Sequence, residues 1–248
     1  MHQPRHGFTL IEVLVSMTLG LIVVMAALSL LGRARDDYVR IGGGVSAEQE
    51  ARAALTQLTA DLNSASFHQD SVFEHSPAAS GDRLGFLSLQ APDAQSATGR
   101  IGDLCAIHYY LKDLVINSKT VRCLMRGFRE SHATFQALRD FHPASLFTAT
   151  ERDEPVAFGI LGFEARPQSR DASGRWHDWE ISTTEAPAAL AVRLVIARRE
   201  LVAKLADSAA WDAASPAAKL VGPAPQAATS RNLEVYATLI RFGCHAAQ

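Results

Sequence analysis

The apolar positions of this chain follow more than one rhythm. From Val13 to Leu31 no charged residue occurs, a run of roughly 19 residues, close to the ~20 that a helix needs to cross a bilayer. Lipid offers the backbone no hydrogen-bond partner, so such a run predicts a helix. A short polar piece, Met1-His2-Gln3-Pro4-Arg5-His6-Gly7, precedes it, and Arg33, Arg35, Asp36 and Asp37 follow. The helical pattern pauses at Gly42-Gly43-Gly44, where a flexible break is expected. It resumes with Ser46 as N-cap and Gln49 three residues on, the spacing of a capping box. Ala51, Leu55, Leu58, Leu62 and Ala65 then recur on one helical face, a stripe that predicts packing against a sheet.

Beyond Phe67 the rhythm shortens to β-like segments with turn residues between them. Asp82 to Leu89 reads as a strand, followed by a polar loop to Gly102. Cys105–Leu111 and Thr120–Phe128 predict a hairpin around Asn117-Ser118. Phe158–Arg166 and Arg175–Ser182 predict another, turned by Asp171-Ala172-Ser173-Gly174. Ala189–Ala197 alternates as a strand, residues from about Arg198 to Asp212 read as helical, and Leu233–Phe242 forms the last strand. Ser215 to Thr229 is rich in Ala and Pro and reads as a surface loop. The expected fold class is α+β: a long N-terminal helix, apolar and then amphipathic, followed by an antiparallel β-rich domain.

One residue in the apolar run changes its meaning. Glu12 sits four residues past Phe8, and a carboxylate within a membrane helix costs on the order of 2.5–3.5 kcal/mol at the centre and less near the surface. A secretory signal, for which Val24-Met25-Ala26 would supply a cut site, has no use for that cost. A plain anchor tolerates it badly. The positive charges do not decide orientation, since Arg5 stands on one side and Arg33 and Arg35 on the other; the short leader favours an N-in topology. Gly7-Phe8-Thr9-Leu10-Ile11-Glu12 followed by Val13-Leu14-Val15 resembles the class III signal of type IV prepilins.

That resemblance implies a cut between Gly7 and Phe8 by prepilin peptidase on the cytoplasmic side, and N-methylation of Phe8 by the same enzyme. Residues 1–7 would be the leader, 8–45 the apolar helix that spans the inner membrane before assembly, and 46–248 a periplasmic α+β domain. Glu12 would take the acidic fifth position of the mature chain, about 6 Å along the helix from Phe8 at ~1.5 Å per residue. In a bundle its carboxylate can meet a neighbouring subunit's terminal amine, and buried charges in lipid persist by pairing. The implied partners are prepilin peptidase/N-methyltransferase, other minor pilins or pseudopilins, and the inner membrane. The order of later segments resembles the W-type minor pilin of type IV pili and the J-type pseudopilin of type II secretion, with Trp176-His177-Asp178-Trp179 after a hairpin turn and a terminal Leu-Ile-Arg-Phe. Major pilins usually carry a helix-bending proline and a C-terminal disulfide loop. Here no proline occurs between Pro4 and Pro77, and Cys244 has no nearby partner in sequence. The rival expectation is a membrane-anchored periplasmic binding protein or enzyme whose N-terminus resembles a prepilin by accident.

Composition adds little to this. In 248 residues, 24 Lys+Arg against 26 Asp+Glu give a net charge of −2, so no nucleic-acid partner is expected, and Arg198-Arg199 is too small a basic cluster to change that. Cys105, Cys123 and Cys244 fit no C-x-x-C motif; one disulfide with a thiol left over and three unpaired thiols both remain open. His68, Asp70, Glu74 and His75 lie close together without metal-ligand spacing. The run Gly42-Gly43-Gly44 has no Lys-Ser/Thr after it, so it is not a phosphate loop. His108, Tyr109 and Tyr110 fall in a strand, where alternation points one to the core and its neighbours outward. Trp176 and Trp179 would lie on opposite faces of a strand, one in the core and one available as an interface anchor. No nucleophile elbow or Cys/His pairing is present, and the chain is expected to be a structural, non-enzymatic subunit without cofactor or metal.

Overall fold

The structure is a computed structural model that describes residues 10–66, 73–77, 81–91, 94–96, 99–140, 142–180, 187–215 and 232–242. Side chains at 12, 13, 32–44, 95, 96, 99, 100, 143 and 144 are outside that description. Contacts divide the chain into two units, Met1–Gly43 and Gly44–Gln248. One helix, α1 (Leu10–Asn63), contributes to both.

The glycine triplet does not break α1: its backbone is helical from 42 through 44, and Ser46 lies inside the helix rather than at an N-cap. Each interior glycine costs about 1 kcal/mol relative to alanine. Restarting a helix costs more, because nucleation fixes several dihedrals for one hydrogen bond, whereas propagation gains one bond per residue.

The second unit is built from two antiparallel sheets. The first contains β1 (Phe73–Ser76), β2 (Arg83–Leu89), β5 (Leu104–Ile116), β6 (Lys119–Arg129) and β7 (Glu154–Phe158), in the order β1-β2-β5-β6-β7. A small ladder, β3 (Gln95–Ser96) with β4 (Gly99–Arg100), lies between β2 and β5 in sequence. The second sheet contains β8 (Ile160–Arg170), β9 (Trp176–Asp178), β10 (Ala189–Ala197) and β11 (Leu233–Arg241), in the order β11-β10-β8-β9. Helix α2 (Ser131–Arg139) and a 3-10 turn (Pro143–Phe147) connect β6 to β7, while α3 (Arg199–Val202) and α4 (Ser208–Ala214) follow β10.

The core lies where the C-terminal part of α1 meets both sheets. The expected stripe is there: Ala51, Leu58 and Leu62 are buried, with Ala47 and Ala54 beside them and Leu55 and Ala65 packed against the same cluster. They meet Leu84 and Phe86 of β2, Ile107 and Tyr109 of β5, Phe163 of β8, and Leu190, Val192 and Leu194 of β10. Burying each leucine contributes about 1.5–3 kcal/mol, so this stripe fixes which face of the helix the sheets receive.

The first sheet is covered on its other face too, and the second at one end, which corrects the expected in-out alternation at His108, Tyr109 and Tyr110. All three are buried. Tyr109 faces α1, while His108 stacks on Tyr110 with centroids 5.5 Å apart and meets Phe147 edge-on at 6.4 Å. The segment from α2 through the 3-10 turn covers that outer face, packing Leu146 and Phe147 on Leu87 and Ala106. Two glycines make room. A Cβ on Gly127 would lie 1.9 Å from the His108 ring, and one on Gly85 would lie 2.5 Å from Phe147. On the second sheet, α3 and α4 bring Leu205 and the fully buried Trp211 over Leu161 and Val195, and the indole N–H donates to the Thr120 carbonyl at 3.0 Å.

The hairpin expected around Asn117-Ser118 joins β5 to β6. Both residues have positive φ, 50° and 62°, the left-handed pair that a two-residue turn between right-twisting strands requires. The region expected to be helical after Arg198 divides into α3 and α4, and Asp207 caps α4 by accepting from the Ala210 amide at 2.9 Å. The Ala/Pro-rich loop beyond Ser215 lies outside the described residues.

Candidate functional site

The candidate site is the N-terminal segment. Leu14–Leu31 is an 18-residue helical window of mean hydropathy 2.5 with none of it buried, long and apolar enough to cross a membrane. Its large side chains are bare: Met17 is 72 % exposed and Leu31 68 %. A patch of this size in a soluble monomer would far exceed the few hundred Å² that such proteins expose. Two hydroxyls within it look inward to their own helix: Thr18 Oγ1 donates to the Val15 carbonyl at 2.9 Å and Ser29 Oγ to that of Ala26 at 2.8 Å. Such hydroxyls need no water, which suits a segment surrounded by lipid.

Of the three residues the sequence singles out, Glu12 lies in the helical backbone of α1, just ahead of that window, and Gly7 and Phe8 lie outside the described residues. The geometry therefore places the acidic residue at the start of an apolar helix.

In the second unit, charged side chains pair with one another. Glu74 lies 3.5 Å from Arg83, and His75 lies 3.7 Å from Asp82, whose Oδ2 accepts from the Ala165 amide. These two members of the sequence cluster are drawn to separate partners; His68 and Asp70 lie outside the described residues. Among the described residues no group of His, Cys, Asp or Glu converges as metal ligands would. The tryptophan expectation changes as well, because both are half-buried. Trp176 has Arg170 and Arg241 each 5.8 Å from its ring centroid, and Trp179 meets Phe73 edge-on at 5.6 Å.

Buried polar groups that sequence reasoning passed over are the domain's main internal chemistry. Asp61, on the buried face of α1, accepts from the Tyr109 hydroxyl and from Arg126 through Nε at 2.6 Å and a terminal nitrogen at 2.9 Å. Its carboxylate and the burial around it push the Tyr109 phenol well above its ordinary range, burial being the larger cause. Asp153 accepts from Tyr110, Arg129 and Thr150. Buried Arg122 ties Asp113 of β5 to Asp212 of α4. The signal for the first was available: Asp61 sits directly beside Leu62 within the apolar stripe.

Cys105 and Cys123 are free and buried, and burial above all pushes their thiols up to about 11 and about 12. The thiolate is the reactive form, so neither should alkylate at neutral pH until the chain unfolds. Mass spectrometry after iodoacetamide treatment of a Cys244→Ser chain checks this; one adduct on the folded chain would contradict it.

The prokaryotic N-terminal methylation motif matches residues 3–28 of the chain. No curated protein matches the chain as a whole. Among solved structures the chain is similar to a type IV-like pilin from Thermus thermophilus, at TM-score 0.44 and 14 % identity, over 79 % of this chain and 95 % of that one. The motif takes in residues 3–7 of the polar N-terminal piece, Glu12 and most of the unburied apolar window, so sequence match and exposed helix fall on the same stretch.

Proposed function

We propose that this chain is a prepilin-type structural subunit, inserted in the inner membrane with its N-terminus inside, cut between Gly7 and Phe8, methylated on Phe8, and assembled into a filament through its apolar helix. The observation that carries this reading is the coincidence of the methylation motif at residues 3–28 with an apolar helical window that has no burial of its own. The filament role also gives Glu12 a purpose: its carboxylate pairs with the terminal amine of a neighbouring subunit, and that pairing favours association within lipid. The domain following the helix stands outside the membrane as the periplasmic part. Within this class the chain is a low-abundance subunit, a W-type minor pilin or a J-type pseudopilin of type II secretion, rather than a major pilin. The absence of a proline between Pro4 and Pro77 supports that choice.

Expression with and without active prepilin peptidase, followed by intact mass, tests the reading. The expected product begins at N-methylated Phe8. A mature N-terminus at Met1, or anywhere other than Phe8, overturns it. In the same system Glu12→Val should leave cleavage largely intact and impair incorporation into filaments; normal incorporation would remove the role assigned to Glu12.

A further inference from the structure

Sheet edges present unpaired backbone groups, and folded proteins blunt them with short strands, prolines, bulges or covering groups. Three of the four edges of the two main sheets are blunted in this way. β1 has four residues and β9 three. β7 has five, carries Pro155, is irregular against β6 between Leu124 and Met125, and has its Phe158 amide taken by Glu50 Oε2 at 2.8 Å. Among the described residues the fourth edge, β11, carries no such device. It is nine residues long, lacks proline, and stays in unbroken register with β10 through all nine pairs. Its charges stand near the ends: Glu234 is held by Arg198, and Arg241 lies over Trp176. Between them, Val235–Ile240 carries no charge, and among the described residues no strand pairs with the outer side of β11.

We propose that β11 pairs antiparallel with β11 of a second copy of this chain, about a two-fold axis at Ala237. The occupant follows from the strand's own pattern. A two-fold axis perpendicular to a sheet keeps each face on its own side, so residues that meet across it must share parity. With the axis at Ala237, Val235 of one copy meets Leu239 of the other, twice. These are the strand's exposed large apolar side chains, at 52 % and 39 %. An axis at Thr238 would instead set Val235 against Arg241. Cross-strand apolar pairs of this kind favour pairing over an Ala–Ala pair at the same positions. Because the contact is isologous, it consumes both edges and closes at two copies rather than growing as a ladder. It is independent of the assembly proposed for the N-terminal helix.

The test uses the full chain in mild detergent with Cys244→Ser as background. Cysteines directly opposite each other across an antiparallel pair lie near disulfide reach. Ala237→Cys should therefore oxidise to a covalent dimer at least about tenfold faster than Arg193→Cys, an exposed position on β10, because pairing raises its effective concentration. Adding Val235→Lys to Ala237→Cys should abolish the acceleration by placing an ammonium against Leu239. Equal rates at 237 and 193, the result of association through the apolar helices alone, overturn the proposal. So does a Val235→Lys chain that cross-links as fast as its parent.

Discussion

Replacing Asp61 with alanine should lower the stability of the domain by about 3 kcal/mol, toward the lower end of the 3–5 kcal/mol seen when one partner of a buried ion pair is removed. The side chain is 8 % exposed and accepts from Tyr109, Arg126 and Gln57. Its loss leaves a buried phenol without an acceptor and a guanidinium without its carboxylate. The lower end applies because the Arg126 side chain keeps 22 % exposure and can recover some hydration. Against the 5–15 kcal/mol of a typical domain, this is a substantial fraction. Urea unfolding of the detergent-solubilised chain, followed by tryptophan fluorescence, measures it. Asp61→Leu combined with Arg126→Met should recover part of the loss, since no unpaired charge remains. A loss below about 1 kcal/mol for Asp61→Ala would show that the pair does not hold α1 to β5 and β6.

Acid should destabilise the domain through His108, by on the order of 3 kcal/mol between pH 6.5 and pH 4. The imidazole is 2 % exposed, and burial lowers its pKa from 6.5 to about 4; Arg129 and Arg83 push the same way, while Asp153 opposes them. Its Nε2 lies 3.2 Å from Asp153 Oδ2, yet neither ring nitrogen has a hydrogen-bond partner of acceptable geometry. The folded chain therefore resists a proton that the unfolded chain accepts near pH 6.5. Stability is whole above that pH, falls as pH drops toward 4, and loses nothing further from this group below it. Asp153, held down to about 2 with Thr150 its leading hydrogen-bond partner against an opposing burial cost, loses its contribution lower, between pH 3.8 and 2. The two windows separate. His108→Leu should flatten the loss between pH 6.5 and 4 relative to the parent chain; parallel curves would rule out His108 as the source.

The fold was legible wherever one period persisted and one face was buried. The stripe from Ala51 to Ala65 fixed the packed face of α1, and the alternation of Ala189–Ala197 matched β10 in both bounds. Legibility failed where both faces of a strand are covered: His108 and Tyr110 look like surface residues in an alternating pattern, and the segment that buries them lies some twenty to forty residues downstream. It also failed at Gly42–Gly44, where local propensity argues for a break and helical continuity on both sides outweighs it. The candidate site divides in the same way. Glu12 is conspicuous because a carboxylate in an apolar run contradicts its surroundings. Asp61 contradicts its neighbours equally, but its partners Tyr109 and Arg126 lie 48 and 65 residues away, and nothing in the local sequence names them.

The same helix that begins in the apolar segment ends inside the core of the second unit, and the triplet Gly42–Gly44 falls at the boundary between them. Three consecutive glycines leave that turn about 3 kcal/mol less favourable as helix than alanine would be, so under tension α1 should unwind there first. A load carried along the polypeptide would then be absorbed by a few lengthening turns, while Leu58, Asp61 and Leu62 stay seated. The chain carries its own strain relief.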